Sequence, residues 1–292
     1  MFSISKSSNL ESAHGDLLQK YNELKISLGK YTTEGLVIAF SGGVDSGFLL
    51  WAAEEARKKY GGDLIALTTN SESMPSHDKE DVEKFVASVG VKHLWKKSSE
   101  VENPKYLKND SLRCYYCKTE LFSIAKTVAS EHNCRHIAYG YSASDKTDVR
   151  PGHRAALENG ILFPLADHDF RKEEIRDLMR LHDLELSDKP SSPCLSSRIM
   201  RGVQITKKEL KDVDELEIIL RTGGMKVFRL RVHEMSAQPT GSKKYFLRLE
   251  TAPEEITLAL QLKDELIDQA MARGYEWVTL DLAGYKTGGG TI

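Results

Sequence analysis

The apolar and polar positions of this chain follow two periods, and where the period changes predicts its elements. Leu36-Val-Ile-Ala-Phe40 is an unbroken apolar run with β-branched members, the pattern of a strand covered on both faces. Ser41-Gly-Gly-Val-Asp-Ser46 follows, then a helical pattern to about residue 59 that Gly61-Gly62 stops. Further strands are predicted at 64–69, 91–95 and 136–140, with helices at 76–89, where Gly90 ends the helix, from Cys114 to near 133, and at 171–183. Residues 8–29 read as an amphipathic helix opened by the capping box Ser8-x-x-Glu11, with Leu17, Leu18, Tyr21 and Leu24 as its apolar stripe. Strands alternating with helices of these lengths indicate an α/β fold with a doubly wound parallel sheet.

Ser187-Asp-Lys-Pro-Ser-Ser-Pro193 is the clearest interruption of regular structure. Beyond it Thr206-x-x-Glu209 caps a helix with Leu210, Val213, Leu216 and Leu220 inward. Strands at 227–232 and 245–249, a helix after Pro253 and a strand at 277–280 complete a smaller α+β domain. The expected division is a domain of residues 1–190 followed by one of residues 191–292. Residues 103–113 and 141–152 read as loops, and the glycines at 288–290 as a mobile end.

Composition narrows the function classes. At 292 residues the chain exceeds one ordinary domain, and with 40% hydrophobic and 29% charged residues it has the balance of a globular protein. No apolar run reaches the ~20 residues of a membrane span, and the first residues, MFSISKSSNLESAHGDLL, contain no apolar core of a secretion signal. The expected location is the cytoplasm. A net charge of −2 with both signs interspersed disfavours a nucleic-acid partner.

Candidate chemistry begins at 41–46. Gly42 and Gly43 let the backbone turn tightly, and the helix that follows points unpaired amides and a positive dipole end at the turn, so an anion fits there. A Walker loop would carry a lysine, and none stands here. The hydroxyls of Ser41 and Ser46 and the carboxylate of Asp45 suit pyrophosphate with a Mg²⁺ nearby. The string resembles the pyrophosphate loop of the N-type ATP pyrophosphatases. Thr68, Thr69, Asn70 and Ser71, at the end of the next strand, read either as residues that hold adenine or ribose, because ligands of such sheets sit beyond carboxyl ends of strands, or as a plain polar strand end.

Four cysteines remain. Cys114 and Cys117 form a CxxC, Cys194 follows the Pro-flanked break, and Cys134, beside a strand, reads as core. Three thiolates are too few for a closed zinc site, which Cys134 or a histidine would have to complete. An iron–sulfur cluster with one open iron, a metal with a vacant position and a reversible dithiol at a helix N-terminus all stay open. Arg229, Arg231 and His233 share one face of a strand, either as a phosphate grip or as a solvated face. Arg198, Arg150 and Arg154 are further anion-binding candidates, and Asp145 and Asp148 could bind Mg²⁺ or act as acid or base.

Between residues 35 and 286 the chain resembles the LarE-type ATP-dependent sulfur transferases. The resemblance rests on SGGVDS at 41–46, TTNSES at 68–73, Asp145-x-x-Asp148-x-Arg-Pro-Gly152, Cys194-Leu-Ser-Ser-Arg198, Arg229-Leu-Arg-Val-His233 and the ending Tyr275-Glu-Trp-Val-Thr-Leu-Asp-Leu-Ala-Gly-Tyr285. It implies adenylation of a carboxylate of a nicotinate-derived mononucleotide, pyridinium-3,5-biscarboxylic acid mononucleotide, and replacement of that oxygen by sulfur in building a nickel-pincer nucleotide. It implies ATP and Mg²⁺ as cofactors, with Ser41, Gly42, Gly43, Asp45 and Ser46 on the ATP phosphates. Ser197, Arg198, Arg229 and Arg231 would hold the substrate phosphate, and Asp145 would lie near the active site. Cys114, Cys117 and Cys194 match the trio that in some members resembles a [4Fe-4S] ligand set. Homo-oligomeric assembly is also implied. The chain departs from the family at Met200-Arg201-Gly202, where a PYG-like turn is usual, at Ser142 and Ser144, often Asn and Asp, and at Val149, often aromatic. A tRNA-thiolating pyrophosphatase and an ATP-dependent amidotransferase or ligase are the competing readings; neither an RNA-binding module nor a glutaminase is recognisable in the chain.

Overall fold

A computed structural model describes residues 4–146, 151–235 and 243–286, with side chains from residue 15 onward. Asp148, Val149, Arg150 and the glycines at 288–290 lie outside the described residues. In chain order the elements are α1 (Ile4–Thr33), β1 (Leu36–Ala39), α2 (Val44–Tyr60), β2 (Leu64–Asn70), α3 (Ser76–Val89), β3 (Lys92–Lys97), α4 (Pro104–Leu107), α5 (Arg113–Glu131), β4 (His136–Tyr139), α6 (Pro151–Glu158), α7 (Pro164–Asp167), α8 (Lys172–Leu181), α9 (Lys207–Thr222), β5 (Phe228–Glu234), β6 (Tyr245–Thr251), α10 (Ile256–Gln261), α11 (Lys263–Ala272) and β7 (Val278–Leu280). The chain packs as two compact units, one of Met1–Asn70, Asp78–Ser98 and Lys118–Ser191, the other of Ser71–His77, Ser99–Cys117 and Ser192–Ile292. Against a single expected border after residue 190, two short earlier segments join the second unit and supply core residues such as Val101 and Tyr106.

The first unit is the expected α/β fold. Its sheet has the order β3-β2-β1-β4 with every pair parallel, Ala39 lying beside Leu67 on one side and Tyr139 on the other. β1 is buried along its whole length, as its uninterrupted apolar sequence requires. Strand order reverses at β1, the kind of switch point at which open parallel sheets bind ligands beyond carboxyl ends of strands. Val37, Ile65 and Leu67 pack on Ala125, Val128 and Ala129 of α5 together with Cys134, which is core as expected. α1 begins at Ile4, four residues before Ser8, so the Ser8–Glu11 pair falls inside the helix and does not cap it. Its buried stripe is Tyr21, Leu24 and Leu28, while Leu18 is 41% exposed.

The second unit carries a sheet of order β5-β6-β7, antiparallel between β5 and β6 and parallel between β6 and β7. Leu230, Val232, Leu247 and Leu249 cover one face and join Leu210, Val213, Leu216 and Leu220 of α9 in the core. Thr206 caps α9 as predicted, accepting the Glu209 N–H. The 103–113 stretch is not a plain loop. Asn103 caps α4 by accepting from the Lys105 N–H, with Pro104 in the first turn, an N-terminal signature that the polar composition concealed. Among the described residues no helix is long and apolar enough to cross a membrane.

Gly140, one residue past β4, fixes how closely that strand end approaches α2. A Cβ there would lie 2.5 Å from the Ser46 N and 2.7 Å from its Cα, backbone atoms that cannot turn aside. Gly140→Ala is therefore expected to destabilise by about 1–3 kcal/mol, the usual range for forcing an added carbon into a packed site, read as a lower urea midpoint at unchanged slope.

Candidate functional site

The chemistry-bearing residues fall into one group in each unit. In the first unit, the chain leaves β1 through Gly42, whose φ of +75° favours glycine and whose Cβ would meet Val82 Cγ2 at 2.7 Å. Gly43 takes the N-cap position of α2 without a side-chain capping bond, so no side chain competes for the first amides of the helix at that position. Ser41 and Ser46 face each other, Oγ to Oγ 3.1 Å, and the Ser46 hydroxyl also lies 3.1 Å from the Gly43 carbonyl that it donates to. Asp45 stands in the first turn of α2.

Asp45 and Asp145, a hundred residues apart in sequence, meet one cation. The Lys172 Nζ lies 3.1 Å from Asp145 Oδ1 and 3.9 Å from Asp45 Oδ2. Asp145 is buried and accepts the Ser142 N–H and hydroxyl on its other oxygen. Burial alone would raise its pKa, but the Lys172 charge and hydrogen bond, together with Ser142, outweigh it and hold the carboxyl below the ordinary aspartate value. Ser144, a departure from the family pattern, accepts the Lys172 N–H at the start of α8. Lys189 donates to the Gly42 carbonyl at 3.0 Å and pairs with Asp78 and Asp81 at 2.8 and 2.7 Å. The 187–193 stretch that reads as an interruption is thus pinned at Lys189, and Arg176 donates to the carbonyls of Ser187 and Lys189. Thr69 is half-buried and Asn70 exposed at the carboxyl end of β2. Sequence reasoning missed both lysines, which sit in stretches of ordinary polar composition.

In the second unit none of the three cysteines of the trio is in a disulfide, Cys114 being exposed, Cys117 and Cys194 half-buried. Cys114 and Cys117 stand in the first turns of α5, and Cys194 precedes a single 3₁₀ turn, Leu195–Arg198. Two side chains tie them together. Arg113 donates to Asn109 Oδ1 at 2.7 Å and to the Ser196 carbonyl at 2.8 Å, and its charge faces Cys194 and Cys114. Burial pulls its pKa down, and the two thiols, Tyr106 and a hydrogen bond with Cys114 more than reverse this. The buried Tyr106 hydroxyl meets Ser196 Oγ and faces Cys194 and Cys117; burial first, then those sulfurs, raise its pKa. Asn109 donates to the carbonyls of Ile199, Met200 and Val203, fixing the Met200-Arg201-Gly202 turn. Among the described residues no group of three or more His, Cys, Asp or Glu is gathered so as to hold a metal ion.

Arg198, Arg229 and Arg231 are buried and engaged, against the alternative of a solvated face. Arg198 is 1% exposed and forks onto Glu217 with bonds of 3.0 and 2.9 Å, while also donating to the Pro193 carbonyl and Ser197 Oγ. Arg231, 4% exposed, donates to Glu250 at 3.1 and 2.8 Å and to the Ser197 carbonyl at 2.7 Å. Arg229, 8% exposed, lies over the Tyr285 ring with its carbon 5.0 Å from the centroid; burial and then the charge of Arg198 lower its pKa. Arg248, opposite Arg231 in the register, pairs with Glu250 and Asp281 and donates to His233 Nε2. Arg154, on α6, is exposed and pairs with Glu158.

The chain is 34% identical to an uncharacterized protein of Synechocystis sp. over 281 residues, 96% of this chain and 97% of that one. It is 26% identical to the pyridinium-3,5-bisthiocarboxylic acid mononucleotide synthase of Lactiplantibacillus plantarum over 254 residues, 87% of each chain. An uncharacterized protein of Methanocaldococcus jannaschii is 26% identical over 271 residues, 92% of this chain and 98% of that one. No protein-family model matches. The chain belongs to one family with the Synechocystis protein and is similar to the synthase over 87% of its length.

Two measurements check the electrostatics of the second unit. Glu217 is fully buried; burial raises its pKa, but Arg198 and the Leu230 N–H bring it below the ordinary glutamate value. Glu217→Gln leaves a buried guanidinium without its counter-charge and is expected to cost about 3–5 kcal/mol in urea denaturation, whereas Arg198→Met with Glu217→Leu recovers most of that loss. His233, stacked on Phe246 at 4.7 Å, is pushed down to about 4, by burial first and Arg248 next. The unfolded chain protonates a histidine near ~6.5, so His233 contributes stability fully above that pH and loses it as the pH falls toward 4. His233→Asn is expected to flatten the stability profile across this window in urea titrations at stepped pH.

Proposed function

We propose that the protein is an ATP-dependent sulfur transferase that adenylates a carboxylate of pyridinium-3,5-biscarboxylic acid mononucleotide and replaces the activated oxygen by sulfur. The observation that carries this reading is the occurrence, in one chain alike over 87% of its length to a pyridinium-3,5-bisthiocarboxylic acid mononucleotide synthase, of a pyrophosphate-type turn and three cysteines outside any disulfide, two of them facing Arg113.

Two bond exchanges make up the reaction. A substrate carboxylate oxygen attacks the α-phosphorus of ATP and pyrophosphate leaves; hydrosulfide then attacks the acyl carbon, AMP leaves with the oxygen, and a thiocarboxylate remains. Ser41, Gly42, Gly43, Asp45 and Ser46 would bind the phosphates through amides and hydroxyls, with Thr69 and Asn70 beside the nucleoside. Asp45 and Asp145 suit Mg²⁺ in donor type, two carboxylates already meeting one cation. The substrate phosphate is assigned to Ser197, Arg198, Arg229 and Arg231. Arg198, whose fork is taken up by Glu217, acts there by holding the 194–198 turn in place.

Cys114, Cys117 and Cys194 fit a [4Fe-4S] cluster in donor chemistry, as three cysteines outside any disulfide, two of them facing a cationic Arg113 that offsets thiolate charge. Bound there, the cluster would offer one iron without a protein ligand to carry sulfide. Arg113 faces Cys114 and Cys194 while Tyr106 faces Cys117 and Cys194, so the two side chains link the three thiols, and the protein is expected to work as a homo-oligomer in the cytoplasm.

The test is incubation of anaerobically purified protein with ATP, Mg²⁺, sulfide and the dicarboxylated mononucleotide, following pyrophosphate and product mass. Pyrophosphate release that depends on the mononucleotide, with one oxygen exchanged for sulfur per turnover, is the expected result. Release that requires tRNA or ammonia overturns it. The purified protein should absorb near ~400 nm, the region of iron–sulfur charge transfer; a colourless protein with stoichiometric zinc would overturn the cluster.

A further inference from the structure

The turn at 41–46 has no cation of its own, yet it is read as cradling the most highly charged part of ATP. Amides at a helix start amount to roughly half a positive charge, too little to balance a departing pyrophosphate. Two lysines from far along the chain approach this turn, and they do so in different ways.

Lys189 grips the outside of the turn. Its side chain is 11% exposed, its Nζ is held by Asp78 and Asp81, and it donates to the Gly42 carbonyl at 3.0 Å. A peptide unit is planar and trans, so a carbonyl drawn one way aims the N–H of the next residue the other way. With the Gly42 carbonyl on Lys189, the Gly43 N–H is turned away from Lys189, the orientation an anion-binding concavity requires. Lys172 is different. Its backbone is fixed at the start of α8 by Ser144 and by the Arg171 N–H on Glu174, while its side chain is 45% exposed and reaches Asp45 and Asp145. A flexible stem carrying a point charge beside the first turn of α2 can move onto a phosphate oxygen when one arrives.

We propose that Lys189 and Lys172 together replace the missing loop lysine, Lys189 by orienting the Gly43 amide and Lys172 by neutralising the departing pyrophosphate. This rests on the nucleotide-binding reading above, and the test separates the two. Calorimetric titration of the full chain with ATP, with inorganic pyrophosphate and with AMP reports the phosphate-specific part of binding. Lys172→Met and Lys189→Met should each weaken ATP and pyrophosphate about ten- to hundredfold, the worth of one hydrogen bond to a charged group, and leave AMP within about twofold. Because Lys189→Met leaves Asp78 and Asp81 facing each other, Lys189→Met with Asp81→Asn is measured beside it, with circular dichroism to confirm folding. Equal losses for AMP and ATP would assign the lysines to structure only and overturn the proposal, as would no loss at all while the unaltered protein binds ATP. An unaltered protein that binds none of the three ligands overturns the nucleotide reading itself, and this proposal with it.

Discussion

A parallel strand that ends in the middle of its sheet must pass its chain to a helix whose first amides have no partners, and the first unit is organised by that requirement. β1 lies between β2 and β4 and is buried throughout, so its chain can leave only at the carboxyl end. Two glycines make the turn, and a third, Gly140, lets the end of β4 press against the start of α2. The cost is a helix end without a side-chain cap. An uncapped helix N-terminus leaves its first amides to solvent or to an anion, so the missing cap and the binding capacity have one cause.

The second unit solves a different electrostatic problem. Arg198, Arg229, Arg231 and Arg248 face Glu217, Glu250 and Asp281, and most of these groups are nearly inaccessible. Hydrophobic residues of similar volume would stabilise such a layer at least as well, because desolvating charges offsets much of their attraction. What the layer gains is geometry. The Glu217 fork fixes the Arg198 plane, Arg198 and Arg231 both hold backbone or side chain of Ser197, and the turn carrying Cys194 follows. A lysine in place of either arginine has no fork to make the two bonds at once.

Much of the fold was legible because its signals are local. The apolar run of β1, the Thr206 cap and inward leucines of α9, and the glycine after α3 each lie within one element, and each element forms where those signals stand. The site was legible only in part. The turn at 41–46 announces itself, but Lys189 is separated by 147 positions from the carbonyl it holds. Tyr106, Asn109 and Arg113 stand in a stretch whose polarity reads as loop, and only contacts with residues 196–203 give them meaning. Alternating charges on β5 look like a wet sheet face because the partners of Arg198 and Arg231 are each 19 residues away. Where a side chain is judged by neighbours it does not touch, composition misleads.

The positions at which this chain departs from its family bear on the same distinction. Ser142 spends its hydroxyl and its N–H on Asp145, and Ser144 spends its hydroxyl on the α8 backbone, so both act within the loop. A short hydroxyl reaches one such partner and no farther, whereas an amide or carboxylate at either position would keep a second polar atom directed elsewhere. At Met200-Arg201-Gly202 the glycine has φ +86° and donates to the Asn109 carbonyl, Met200 is buried with its N–H on Val232, and Arg201 is exposed. The backbone of the turn therefore rests on Asn109 and on the glycine, and the side chain free to vary adds one positive charge to the surface. Ser142 and Met200 are buried and Arg201 is exposed, so these positions differ in what each does: the first two hold Asp145 and the 200–202 turn, and the third is turned to solvent.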